Sequence, residues 1–215
     1  MSKGKTKPPK RPYELGKRLE QMDQSRAAIL RAARMHLEAG GYRQLTMASL
    51  AAESGVTRQT VHNLFGTKKA ILEALFDVIA LDGGMDRMRD AMTQPSPDAM
   101  LSLFVEIFCR FWSSDRVLMR RIHGIGAIDP EFGEVIDARN QRRLMAATRI
   151  AARLGQEKVG QGQGQGTNQR AAALAALTSF EFYDALIENS VDQQQAVATV
   201  LDLARNLFAG SSKDA

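Results

Sequence analysis

Cysteine is nearly absent from these 215 residues. Cys109 stands alone, so no intrachain disulfide can form, and the expected setting is a reducing, cytoplasmic one. Histidine is scarce too, with three in all. The chain has no HExxH, no phosphate-binding P-loop and no Cys/His spacing suited to a metal. Its one glycine-rich run, GQGQGQG, lacks both the GxGxxG order and a preceding strand. Neither an enzyme nor a bound metal or cofactor is therefore expected. No run of about 18 uncharged apolar residues exists, which excludes a helical membrane span. The basic N-terminus lacks the apolar stretch of a signal peptide. What remains is 44% hydrophobic and 25% charged, enough to bury a core in one large domain or two small ones.

The net charge of +5 is unevenly placed. Residues 1–20 carry seven basic residues (Lys3, Lys5, Lys7, Lys10, Arg11, Lys17, Arg18) against Glu14 and Glu20. Residues 24–70 add seven more against Glu38 and Glu53, so the first third is strongly positive and the remainder is net negative. Such a split points the N-terminal part at a polyanion, most often nucleic acid.

Helical spacing runs through the whole chain, and an all-α fold of about nine helices is expected. A Lys/Pro-rich stretch from Met1 to about Pro12 has too few apolar residues to pack. From Asp23, a predicted N-cap, Ile29, Leu30, Ala33 and Leu37 recur at helical intervals until Gly40-Gly41. Thr46 caps a short helix over Met47–Ser54, Thr57 caps another to about Phe65, and Thr67 opens a helix reaching Gly83-Gly84. Asp98 starts Ala99–Trp112, apolar at nearly every position and hence the expected central helix of a second domain. Further helices are expected over 115–125, 131–154, 169–188 and 193–208, with Gly155–Thr167 as a flexible connector. The predicted organisation is a basic flexible arm (1–22), a DNA-binding domain with its linker helix (23–82) and a helical ligand-binding and dimerisation domain (83–215).

The stretch Thr46–Lys69 fits a helix-turn-helix. That motif needs small residues where its helices cross, a glycine at the turn and apolar inner faces. Ala51 and Gly55 supply the small residues, and Leu50, Val56, Val61 and Leu64 the inner faces. The second helix presents Arg58, Gln59, Thr60, His62 and Asn63 outward, side chains able to reach phosphates and base edges. A helical hairpin with a solvated polar face is the other reading. Lys68 and Lys69 open the next helix, where the dipole disfavours cations by about 0.3–1 kcal/mol, unless a DNA phosphate sits there.

The run Ile29-Leu30-x-Ala-Ala, then Gly41-Tyr42, Thr46-Met47, Leu50-Ala51, Ser54-Gly55-Val56, Gln59-Thr60-Val61, Leu64-Phe65 and Thr67-Lys68-Lys69-Ala70-Ile71-Leu72 resembles the N-terminal domain of TetR-family transcriptional regulators over residues 24–79. The remainder resembles the family in layout only. The resemblance implies a homodimeric regulator, usually a repressor, that leaves DNA when a small molecule enters its C-terminal domain. It places Thr46, Thr57 and Lys68 on the phosphate backbone and Arg58, Gln59 and Thr60 on bases. Where the family usually has Tyr this chain has His62, which can hold a phosphate through a ring nitrogen, more strongly when protonated. The basic arm has two readings, a minor-groove contact or a solubilising tail.

A dimer of such domains reads a near-palindromic operator, with recognition helices about 34–36 Å apart. The small-residue run Ala171–Leu177 and the stripe Val197, Val200, Leu201, Ala204, Leu207 and Phe208 are the expected interface, with Leu174 and Leu177 facing it. Phe104, Phe108, Phe111, Trp112, Met119, His123, Phe180 and Tyr183 are candidates to line an apolar effector pocket, or else plain core. Cys109, inside an apolar run, reads as core rather than redox sensor. The expected partners are thus duplex DNA, a hydrophobic or amphipathic small molecule and a second copy, on the bacterial nucleoid in the cytoplasm. The alternative is an architectural or protein-partnered DNA-binding protein of the same fold, indifferent to small molecules.

Overall fold

The computed structural model describes residues 11–158, 164–189 and 191–209, all helix, turn or connecting segment, with no strand among them. Among the described residues there are eleven α-helices, and the chain divides into two compact units, Met1–Leu75 and Phe76–Ala215. None of the described helices is long and apolar enough to cross a membrane.

The first unit holds α1 (Arg11–Glu38), α2 (Met47–Ser54), α3 (Arg58–Phe65) and the first half of α4 (Lys68–Asp82). Its core is Ile29, Ala33 and Leu37 of α1 with Leu45, Leu50, Val61 and Ile71, each no more than 1% exposed. The helix expected from Asp23 begins twelve residues earlier, at Arg11. Leu19 and Met22 are exposed there, so no packed face leaves a periodic trace. Strong helix formers such as Glu14, Lys17, Arg18, Glu20 and Gln21 carry α1 back instead. Residues 1–10 of the predicted arm lie outside the described residues.

The second unit continues with α5 (Met88–Met92), α6 (Pro97–Ser114), α7 (Arg116–Ile128), α8 (Pro130–Lys158), α9 (Gly164–Leu177), α10 (Phe180–Glu188) and α11 (Gln193–Phe208). Ser96 caps α6 through its hydroxyl and Pro97 occupies the first turn, where a missing N–H costs nothing. α6 buries ten side chains, leaving Asp98, Glu106, Arg110 and Ser114 exposed, and packs against α5, α7, α8, α10 and α11. α7 and α8 meet at a glycine pair: a Cβ on Gly133 would lie 2.8 Å from the Gly126 carbonyl oxygen, a backbone atom that cannot yield. Bidentate Arg205 to Asp98 contacts, at 2.8 and 2.9 Å, tie α11 to α6.

Three expectations change here. The predicted single helix over 169–188 is two, because Ser179 caps α10 by accepting from the Phe182 amide at 3.2 Å. Trp112 Nε1 donates to the Thr178 carbonyl, at 3.0 Å, that this break releases. The predicted connector is also shorter, since α8 runs to Lys158 and α9 starts at Gly164, with residues 159–163 outside the described ones. Finally, the alanine run expected to admit a second subunit is divided: Ala171 and Ala175 are buried within the chain, where α9 packs on α8 and α11, while Ala172 and Ala176 are exposed.

Candidate nucleic-acid interface and effector pocket

Leu50 and Ala51 of α2 and Val61 of α3 are buried, and these contacts fix the two short helices of the first unit against each other. Val56 and Leu64, also expected inside, are half-buried. Gly55 serves the turn by conformation rather than size. Its φ of 68° is left-handed, which an L side chain adopts at a cost of about 1–2 kcal/mol, while a Cβ there would meet nothing within 4 Å.

Both helices start on threonine caps. Thr46 Oγ1 accepts from the Ser49 amide (3.1 Å) and the Thr46 amide donates to Ser49 Oγ (3.0 Å), a reciprocal capping box. Thr57 Oγ1 accepts from the Thr60 amide (3.0 Å) and lies 2.9 Å from the Thr60 hydroxyl. The threonines expected on DNA phosphates are thus exposed helix starts, able to hold the helices and to meet an anion with the same groups.

Val61 pins α3 by its inner face, so the opposite face is presented to solvent. Arg58, Gln59, His62 and Asn63 are exposed and Thr60 is half-buried. Gln59 Nε2 donates to Asn63 Oδ1 at 2.8 Å, one turn apart, which orients two amides as a unit. Arg58 makes no ion pair or hydrogen bond among the described residues, whereas two acids of this unit, Glu38 and Glu53, lie against basic side chains. Glu38 pairs with Arg34 at 2.6 Å, and Glu53 Oε1 lies 3.0 Å from His36 Nε2, near enough for an ion pair though off the line of a hydrogen bond. Lys68 Nζ stands 3.6 Å from the centre of the Tyr42 ring, a cation–π contact that offsets its unfavourable place at a helix start.

The second unit contains a cavity of about 250 Å³. Of the eight residues expected to line a pocket, Phe108, Phe111, Trp112 and His123 do so. Phe104, Met119, Phe180 and Tyr183 do not: each is at most 3% exposed and packed into the core, where Phe104 meets Phe108 and Phe180 meets Trp112 edge-on. The wall that sequence reasoning missed comes from α8, which contributes Ile136, Arg139, Asn140 and Arg143, with Arg142 exposed at its edge. Phe76, Asp77 and Ala80 of α4, with Met85 and Met88, and Ala146 of α8 complete it.

Polar groups around the cavity are mostly paired. Arg139 reaches Asp77 at 2.5 Å and covers the Phe76 ring at 4.3 Å. His123 Nδ1 lies 2.8 Å from Glu181, whose carboxyl is held down at about 2, chiefly by that hydrogen bond. Arg116 and Arg120 of α7 pair with Asp184 and Glu188 of α10. Burial pushes the Cys109 thiol up to about 12, so it stays a neutral thiol at physiological pH.

The stripe expected at a dimer interface is partly consumed inside the chain. Leu174, Val200, Ala204 and Phe208 are at most 4% exposed, because α11 packs on α6 and α9. Leu177, Val197, Leu201 and Leu207 are half-buried.

Residues 29–75 match the family model for bacterial regulatory proteins of the tetR family, a span that contains all of α2, the turn and α3. The HTH-type transcriptional regulator EthR of Mycolicibacterium smegmatis is 27% identical over 130 residues, which is 60% of this chain and 59% of that protein's length. Two solved structures share the fold. A chain from Pseudomonas aeruginosa PAO1 assigned as a transcriptional regulator has a TM-score of 0.72 at 18% identity, covering 88% of this chain and 92% of its own. A TetR transcription regulator from Haloarcula marismortui has a TM-score of 0.63 at 18% identity, covering 86% and 96%. The family model thus falls on the capped helix pair, where residues 29–75 are similar to the tetR family of bacterial regulatory proteins, and the wider all-helical fold is the one these solved structures share.

Proposed function

We propose that this protein is a sequence-specific DNA-binding transcriptional regulator, a homodimeric repressor released from a near-palindromic operator when a small molecule enters the second unit. The observation that carries DNA binding is α3 itself. It is anchored on its inner side by the buried Val61, with Leu64 and Phe65 half-buried, and it offers an exposed Arg58, unpaired among the described residues, beside the coupled amides of Gln59 and Asn63. Arginine reads guanine edges and glutamine or asparagine reads adenine, so this face carries base recognition. Thr46, Thr57, His62 and Lys68 flank it as phosphate contacts. The cavity in the second unit supports a ligand-released mechanism, and Leu177, Val197, Leu201 and Leu207 are the part of the dimer stripe a second copy can still cover. No catalytic role is assigned.

Selection of bound duplexes from a random pool tests the reading, followed by titration with Arg58→Ala/Gln59→Ala protein. Each lost base contact costs about 1–3 kcal/mol, so specific affinity should fall by roughly two orders of magnitude or more while the melting temperature holds. Specific binding retained by the double variant would remove α3 from the recognition role.

A further inference from the structure

The cavity walls differ in chemistry. Phe108, Phe111 and Trp112 of α6, with Phe76, make one side aromatic, while α8 places arginines on the other. The two inner arginines are not equivalent. Arg139 is already satisfied by Asp77 and by the Phe76 ring. Arg143 is 9% exposed and lines the same cavity, its Nε is buried without a hydrogen-bond partner, and it forms no ion pair among the described residues. Its nearest aromatic neighbour is Phe108, with the guanidinium carbon 5.8 Å from the ring centre. Glu181 acts on it only through space and is itself bound by His123.

An arginine cannot shed its proton to escape this situation. A buried charge without an acceptor is costly, and such groups are ordinarily paired. Asp77, the one acid on the wall, is taken by Arg139, so the acceptor that suits Arg143 is one brought by a ligand. Building on the proposed effector role of this cavity, we propose that the effector is a small organic carboxylate, its apolar body lying against Phe108, Phe111 and Trp112 and its anionic end meeting Arg143. Guanidinium and carboxylate geometries match in a two-point hydrogen bond, and the largely apolar surroundings strengthen it. The volume sets the size. A cavity of about 150 Å³ accommodates benzene, so about 250 Å³ takes a molecule of roughly ten non-hydrogen atoms.

Trp112 is the sole tryptophan and lines the cavity, so its fluorescence reports occupancy directly. The full chain is titrated to millimolar concentrations with 3-phenylpropionate, with 3-phenylpropanol as the neutral counterpart and 3-phenylpropylamine as the cation. The carboxylate should bind at least about tenfold more tightly than the alcohol, with the amine weakest. In Arg143→Gln that preference should vanish, and in Arg143→Lys it should be partly kept. Equal affinity of carboxylate and alcohol for the wild-type protein would overturn the anion assignment while leaving the cavity a ligand site. A carboxylate preference undiminished in a folded Arg143→Gln variant would overturn it as well. Silence of Trp112 toward all three probes would instead defeat the underlying effector-site reading, and the inference with it. The wild-type series decides even if Arg143→Gln does not fold.

Discussion

Replacing Arg143 by methionine should make the ligand-free protein more stable. Arg143 is 9% exposed, and its buried Nε lacks a partner; leaving such a group unmatched costs about 1–3 kcal/mol. Desolvation, the dominant influence on this side chain, pulls its pKa below the ordinary arginine value, the direction expected for a cation held in an apolar place. Two attractions oppose that penalty, the Phe108 ring at 5.8 Å, near the outer limit of a cation–π contact and worth about 0.5–1 kcal/mol there, and the charge of Glu181. Methionine keeps the unbranched stem and its packing, so no cavity is opened as alanine would open one. The balance is a gain of about 1 kcal/mol, which in a chain of this size raises the melting temperature by roughly 2–4 °C. Thermal melts and urea midpoints without ligand measure it, and the same variant should lose its preference for a carboxylate over the alcohol. Arg143 would then exemplify a binding group retained at the expense of stability. A melting temperature lowered by a similar amount would refute this reasoning, because it would make the guanidinium a satisfied structural element rather than a group awaiting an acceptor.

Gly55→Ala should destabilise the first unit by about 1–2 kcal/mol from backbone strain alone, since its φ is 68° and the added methyl meets no neighbour; a melt indistinguishable from wild type would contradict the left-handed turn. Glu181 provides the acid-side test. Its carboxyl is held at about 2 against an ordinary 4.5, so its contribution is present above about pH 4.5 and is lost as pH falls toward 2. The side chain is 67% exposed, so screening keeps that contribution under about 1 kcal/mol, and the wild-type advantage over Glu181→Gln in urea midpoint should shrink across that window rather than grow. His62→Ala should weaken operator binding about equally for all sequences and reduce its salt dependence by about one phosphate contact while the melt is unchanged; unaltered affinity and salt slope would remove His62 from the phosphate contacts.

The helix-turn-helix was legible because its determinants are local. Thr46 and Thr57 cap, Gly55 turns, and Leu50 and Val61 point inward at helical intervals, each readable within a few residues of its neighbours. Elements without a packed face or a clean break were not. The first turns of α1 expose Leu19 and Met22 and so leave no periodic pattern, and the α9–α10 boundary rests on one serine cap inside a continuous apolar stretch. The cavity failed for a different reason. Aromatic content marked α6 correctly as one wall, yet Phe104, Met119, Phe180 and Tyr183 are just as apolar and lie in the core, since nothing local separates a residue that meets protein from one that meets a void. The opposite wall did leave a trace. Along α8, Ile136, Arg139, Arg143, Ala147 and Ile150 follow three- and four-residue steps, so two arginines stand on the stripe whose other members are buried. One of them found a partner in Asp77, far away in sequence, which is how an ordinary fold resolves such a break. The other has none among the described residues, and an unresolved break on a buried stripe, beside a cavity of ligand size, separates a recognition residue from a structural one.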